Sequence, residues 1–170
     1  VTGCGPQDET RTLPYTRYVE SYDGARVPVP DHPKRILALS SASDTILLGL
    51  VEPDRLVGIN TLSTYEEYSL EAKRAKLVKP AMSSYPLEKI IALEPDLVIA
   101  PDYTSADVIA GLRHMGLPTV VVPTGTSVES VIKNVTDIAH IVGEDEKGQF
   151  YEQKIRRELE TMKRLGTSIP

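Results

Sequence analysis

The chain has 170 residues, enough for one domain with a substantial core and too few for two complete ones. Its 24 acidic and 19 basic residues give a net charge of -5. The basic residues are dispersed, which excludes the concentrated cationic face that a nucleic-acid partner needs. No apolar run approaches the roughly 18 to 20 residues that span a bilayer, so a membrane link is expected only through an anchor.

Residues 1–17 are read as a tether, because the stretch from Gly5 to Thr12 is polar, charged and unable to build a core. Cys4 is the only cysteine; it has no internal disulfide partner and is a poor metal site by itself. Val1-Thr2-Gly3-Cys4 resembles the bacterial lipoprotein cleavage box, whose cysteine is lipidated and becomes the mature N-terminus. That resemblance implies lipidation at Cys4 and an extracytoplasmic, membrane-anchored location.

Residues 18–126 read as a lobe. Apolar and polar residues alternate on both sides of Asp23-Gly24, which predicts a β-hairpin with strands at 18–22 and 25–29, lying outside the core. After Pro30 and Pro33 strand, loop and helix repeat: a strand at 36–39, then a helix at 43–50 capped by Ser41 or Ser43. A strand at 56–59, a polar loop at 60–65, a helix at 66–74 and a short strand at 76–78 follow. Pro86 suits the first turn of a helix over 86–93, and Pro95 ends it; Leu87, Ile90, Ile91 and Leu93 recur at helical spacing as its packing face. The branched apolar run 97–100 reads as a buried strand, followed by a helix at 105–115, closed by Gly116, and a strand at 119–122. This alternation predicts an α/β fold, a Rossmann-like, mainly parallel sheet with helices on both faces.

Residues 127–170 read as helix only. Val128, Val131, Ile132, Val135, Ile138, Ala139 and Val142 form an apolar stripe, Gly143 breaks the helix, and 144–165 forms a second, longer one. Its stripe of Tyr151, Ile155, Leu159 and Met162 is narrower.

Ligands of open parallel sheets meet the loops at the carboxyl ends of the strands. Those loops offer Ser40, Ser41 and Ser43; Asn60, Thr61, Ser63, Thr64 and Tyr65; Asp102, Tyr103 and Thr104; and Thr124, Gly125 and Thr126. Hydroxyls, an amide and aromatic rings orient and stack on a ligand but perform no acid, base or nucleophilic step. There is no Walker loop, Gly-rich dinucleotide fingerprint, nucleophile elbow or His pair at metal-ligand spacing. His32 stands in a loop, and His114 and His140 fall on expected helices away from the strand ends. A non-enzymatic protein with no metal site and no resident cofactor is expected.

One competing pattern is the run Pro95 to Asp102, which looks like the strand and phosphoacceptor aspartate of a response-regulator receiver domain, with Thr124 at the switch hydroxyl. A receiver also needs an acidic pair after its first strand and a lysine after its last. Ser40-Ser41 stand in the first place, and the second is empty.

The hairpin, Pro33-Lys34-Arg35-Ile36-Leu37-Ala38-Leu39, Gly49-Leu50, Leu56-Val57-Gly58 and above all the run from Leu87 through Glu94-Pro95-Asp96-Leu97 to Ala100 resemble the amino-terminal lobe of substrate-binding proteins of iron-siderophore, haem and cobalamin ABC importers. The resemblance extends from Val19 to about Leu165. It implies capture of a metal-chelate nutrient outside the cell membrane and delivery to ABC permease subunits, the iron or cobalt arriving with the ligand. Glu88 matches the family's glutamate that pairs with permease arginines, although an acid in a first helical turn also answers the helix dipole. Residues 144–165 match the helix that joins two lobes. The second lobe is not contained in these 170 residues, so half a cleft, an exposed last helix and self-association through it are expected. Expected ligand contacts are Ser41, Asn60, Thr61, Tyr65, Tyr85, Tyr103 and Thr124, with tyrosine rings suited to stacking. The alternative reading is a surface-anchored, single-lobe interaction or sensor module without transport.

Overall fold

A computed structural model of the chain describes residue 15 and residues 17–166. Cys4 and most of the expected tether lie outside the described residues. The strands are β1 (Arg17–Glu20), β2 (Arg26–Val29), β3 (Ile36–Ala38), β4 (Ile59–Asn60), β5 (Ala81–Met82), β6 (Leu97–Pro101) and β7 (Thr119–Val122). The helices are α1 (Ser41–Leu50), α2 (Ala72–Ala75), α3 (Leu87–Ala92), α4 (Ala106–His114), α5 (Val128–Ile141) and α6 (Asp145–Arg164). The fold is α/β: β3, β6 and β7 form a parallel sheet in the order β3-β6-β7, flanked by helices. The parallel pair β4-β5 continues it beyond β3 through a bridge between Ile36 and Leu56 and a 3.0 Å bond from Val57 N–H to the Ile36 carbonyl.

The pleat sorts the strand residues between two helical layers. Ile36, Ala38, Leu97, Ile99, Val120 and Val122 join one core with Leu47 and Leu48 of α1 and Ile138 and Ala139 of α5. Leu37 and Val98 point the other way, against Ile90 of α3 and Leu112 of α4. The hairpin, expected outside the core, contributes Val19, Val27 and Val29 to the first cluster. It is tied to β7 by Tyr22 N–H donating to the Val121 carbonyl at 3.0 Å and Val121 N–H donating to Ser21 Oγ at 2.8 Å. Arg113 of α4 reinforces the seam by donating to Ser21, to both carboxylate oxygens of Asp23 and to the Thr119 carbonyl.

Several local expectations are corrected. Ser40, not Ser41 or Ser43, caps α1, its Oγ accepting from Ser43 N–H, and the helix starts at Ser41. The strand expected at 56–59 shrinks to the Leu56 bridge and β4, and the segment 76–78 is a turn, with β5 forming instead at Ala81–Met82. The helix expected at 66–74 is confined to Ala72–Ala75: Leu70 is fully exposed, and Ser69 Oγ accepts from Glu71 N–H, a local side-chain bond that competes with helix continuation. On six-residue α3 only Ile90 is fully buried, and Ile91 is 40% exposed. Past the C-cap Leu93, Glu94 has a left-handed backbone at φ 49°, so the helix has ended before Pro95.

The α5–α6 junction is rigidly specified. Gly143 has φ 77°, and a Cβ there would fall on the Asp31 carbonyl oxygen, so only glycine fits. Arg55 donates to the carbonyls of Pro33 and Val142 at 2.9 and 3.1 Å and to Glu144 Oε1 at 2.7 Å, so it joins the start of β3's approach to the start of α6. Ile155 and Leu159 of α6 are half-buried and Met162 is exposed. No helix among the described residues is long and apolar enough to cross a membrane.

Candidate functional site

Parallel strands deliver their following loops to one end of the sheet, and there the loops after β3, β6 and β7 meet the N-terminal halves of α1 and α5. They enclose a pocket of about 410 Å³. Ser41, Tyr103 and Thr124, each expected from sequence to touch ligand, line it together. Ser41 opens α1 and is half-buried, whereas Tyr103 stands out from the rim with 73% exposure. Thr124 donates its N–H and its hydroxyl to the two carboxylate oxygens of Asp102 at 3.0 and 2.7 Å, which ties the loop after β7 to the loop after β6. These bonds hold the exposed Asp102 carboxyl below its ordinary range. Ile46, Val122, Val131 and Ile138 give the pocket an apolar floor.

Four other expected contacts form a separate group beside β4, away from this pocket. Asn60 caps a single turn of 3-10 helix, its Oδ1 accepting from Leu62 N–H at 2.9 Å. Thr61 begins that turn, and Tyr65 ends it with 48% exposure, packed edge-on against Tyr68 at 6.5 Å between ring centroids. Tyr85 points inward: its hydroxyl donates to the Ile59 carbonyl at 2.7 Å and contacts the Pro80 carbonyl at 3.0 Å, and burial pushes it up to about 12. The ring fits there because residue 58 is glycine; a Cβ would lie 2.7 Å from the tyrosine oxygen. Tyr85 therefore fastens β4 to the approach to β5, and its hydroxyl is committed to the scaffold.

Two side chains that the sequence reading passed over complete the picture. Asp44 on α1 is fully buried; its Oδ2 accepts from Asn60 N–H at 2.7 Å and from the Ser63 hydroxyl at 3.0 Å, while Oδ1 has no partner. Burial pushes this carboxyl up to about 7 against the lowering effect of those two donors. Its spacing of three and four residues from Leu47 and Leu48 placed it on the apolar face, a signal visible in the sequence. Asn134 of α5, 8% exposed, lies in the pocket wall; Nδ2 donates to the Pro123 carbonyl at 2.8 Å and the buried Oδ1 is unpaired. It too interrupts an apolar stripe.

Glu88 is exposed in the first turn of α3. No group of three or more His, Cys, Asp or Glu side chains is placed to hold a metal ion among the described residues. What the arrangement can do is bind: hydroxyls and an amide over an apolar floor, with the Tyr103 ring at the rim.

Comparison with known proteins places this architecture. The chain is 27% identical, over 99% of its length, to an uncharacterized ABC transporter substrate-binding lipoprotein, YvrC, of Bacillus subtilis, and covers 55% of that protein. It is 31% identical over 76% of its length to a vitamin B12-binding protein of Vibrio campbellii, covering 46% of it. The chain thus spans about half the length of these relatives. Among solved structures it superposes on a periplasmic solute binding protein from Veillonella parvula with a TM-score of 0.73 at 22% identity, covering 87% of this chain and 47% of that one. Against the heme binding protein HmuT the TM-score is 0.67 at 28% identity, with the same coverage of 87% and 47%. The match of residues 36–166 to the periplasmic binding protein family decides the matter, and the chain belongs to that family.

Proposed function

We propose that this chain is the substrate-binding component of an ABC importer, capturing a metal-chelate nutrient outside the cell membrane and handing it to permease subunits without chemical change. The observation that carries the reading is the pocket at the carboxyl ends of β3, β6 and β7, where Ser41, Tyr103 and Thr124 converge over an apolar floor. Family membership supports binding as the activity, and the relatives named for vitamin B12 and heme support a chelate of cobalt or iron as the ligand class, siderophores included. The loop of Asn60, Thr61 and Tyr65 supplies a second contact region. Glu88 is the docking residue on this lobe, where an exposed charge sets orientation and association rate rather than permanent affinity. Cys4 carries the lipid anchor, a role supported by the YvrC relative's being a lipoprotein.

The test is thermal denaturation of the full-length gene product with cyanocobalamin, haem and a set of ferric siderophores. One chelate is expected to raise the melting temperature, since a ligand at about 100 times its Kd stabilises by about 2.7 kcal/mol. No shift from any chelate, together with a shift from free Zn²⁺ or Mn²⁺, overturns the reading.

A further inference from the structure

We infer that this lobe selects for ligands presenting an uncharged, hydrogen-bonding surface to it, and against polyanionic chelates. The inference rests on the reading that the pocket between α1 and α5 is the ligand site. The loops at the carboxyl end of the sheet, residues 39–45, 60–68, 81–87, 101–105 and 123–127, contain no Lys, Arg or His. Their charged residues are Asp44, Glu66, Glu67 and Asp102, and among the described residues only Glu66 has a salt-bridge partner, Lys76 at 3.8 Å. Asp44 is fully buried, so an anionic ligand surface would meet the exposed carboxylates of Glu66, Glu67 and Asp102 and no cation belonging to these loops.

The usual alternative source of positive potential at this end is also answered within the chain. α1, α4 and α5 all start here, and a helix N-terminus favours anions through its free N–H groups and its dipole. Each is capped by its own serine: Ser40 accepts from Ser43 N–H, Ser105 from Val108 N–H, and Ser127 from Ser130 N–H in a reciprocal capping box. α4 also carries an exposed acid in its first turn, Asp107, whereas Asp44 of α1 is buried and Glu129 of α5 is paired with Arg156 at 2.9 Å. What remains for a ligand is neutral chemistry: the hydroxyl of Ser41, a Thr45 hydroxyl already bonded to the Ser41 carbonyl and to Ser69, and in the wall an Asn134 whose Nδ2 is given to Pro123 while its buried Oδ1, an acceptor, is left without a partner. A buried amide oxygen wants an N–H or O–H donor and repels an anionic oxygen. Carboxamide-bearing or hydroxamate chelates meet that description; haem propionates and ferric tris-catecholates do not.

The experiment measures binding of the full-length gene product to cyanocobalamin, a neutral ferric trihydroxamate, haem and a ferric tris-catecholate, by calorimetry at 50 and 500 mM NaCl. A second protein carries Thr126→Lys, which adds one cation at an exposed position next to Gly125 of the pocket lining. A neutral chelate is expected to bind best with little dependence on salt, and the lysine to improve anionic chelates by about fivefold at low salt while sparing the neutral one. Tightest binding of an anionic chelate, strengthening as salt falls, overturns the charge selectivity and leaves the transport reading standing. Binding of none of the four overturns both.

Discussion

Asp44 Oδ2 accepts from the backbone N–H of Asn60 at 2.7 Å, so a fully buried carboxyl on α1 holds the first residue of the loop that carries Thr61 and Tyr65. Ser63 donates to the same oxygen. Because burial raises this carboxyl from 3.8 to about 7, the folded chain keeps a proton between those values that the unfolded chain releases. The sign follows: stability falls as pH rises from about 4 to about 7 and is level beyond, by at most on the order of 4 kcal/mol. Urea denaturation between pH 5 and 8 checks this. The slope should flatten in Asp44→Asn; an unchanged slope would show that another group sets it. The amide resonance of Asn60 should titrate in the same range in the parent protein.

Ser21→Ala should cost about 1–3 kcal/mol, because it strands the buried N–H of Val121 as well as removing a partner of Arg113. Faster hydrogen exchange at the Val121 amide would mark the cause as the hairpin seam, and exchange unaltered at that position would place the loss elsewhere. The neighbouring Asp23 is held down to about 2, chiefly by its hydrogen bonds from Arg113. Its contribution is present above about pH 4 and is lost as the pH drops toward 2, a window separate from that of Asp44.

Gly143→Ala should lower the melting temperature sharply, since the left-handed backbone alone costs about 1 kcal/mol and the new methyl group meets the Asp31 carbonyl. Gly111→Ala is the control: it lies within α4 with nothing near its would-be Cβ and should stabilise by about 0.4–1 kcal/mol. Equal effects from the two substitutions would contradict the junction geometry.

Glu88→Ala should leave chelate affinity unchanged and reduce uptake in cells, because the side chain is exposed in the first turn of α3 and is absent from the pocket lining. Loss of affinity with uptake per bound ligand intact would remove its docking role. Some loss of helix stability, about 0.3–1 kcal/mol from the dipole, is expected in either case.

The sheet and its flanking helices were legible because their periods differ: mostly branched runs of four residues at 97–100 and 119–122, and three- and four-residue spacing from Val131 to Val142. The region from Leu56 to Met82 was not. Its conformation depends on side chains reaching distant backbone, as when Arg74 donates to the Leu48 and Val51 carbonyls, and no local pattern announces such bonds. The site divides in the same way. Ser41, Tyr103 and Thr124 follow strands whose ends were readable, so their convergence could be anticipated. Tyr85 sits in an equally polar loop, but the absence of a side chain at Gly58 draws its ring inward, a relationship across 27 residues of chain that spacing alone does not express.

The seam between the hairpin and β7 also governs how copies of this lobe can meet. A bare parallel edge strand invites another chain to add alongside it. At β7 the Val121 N–H and carbonyl are already occupied by Ser21 and Tyr22, and at the opposite margin β5 is only two residues long. Growth of the sheet by strand addition is thereby blocked at Val121 and confined to two residues at β5, so contact between copies would fall to side chains rather than to added strands.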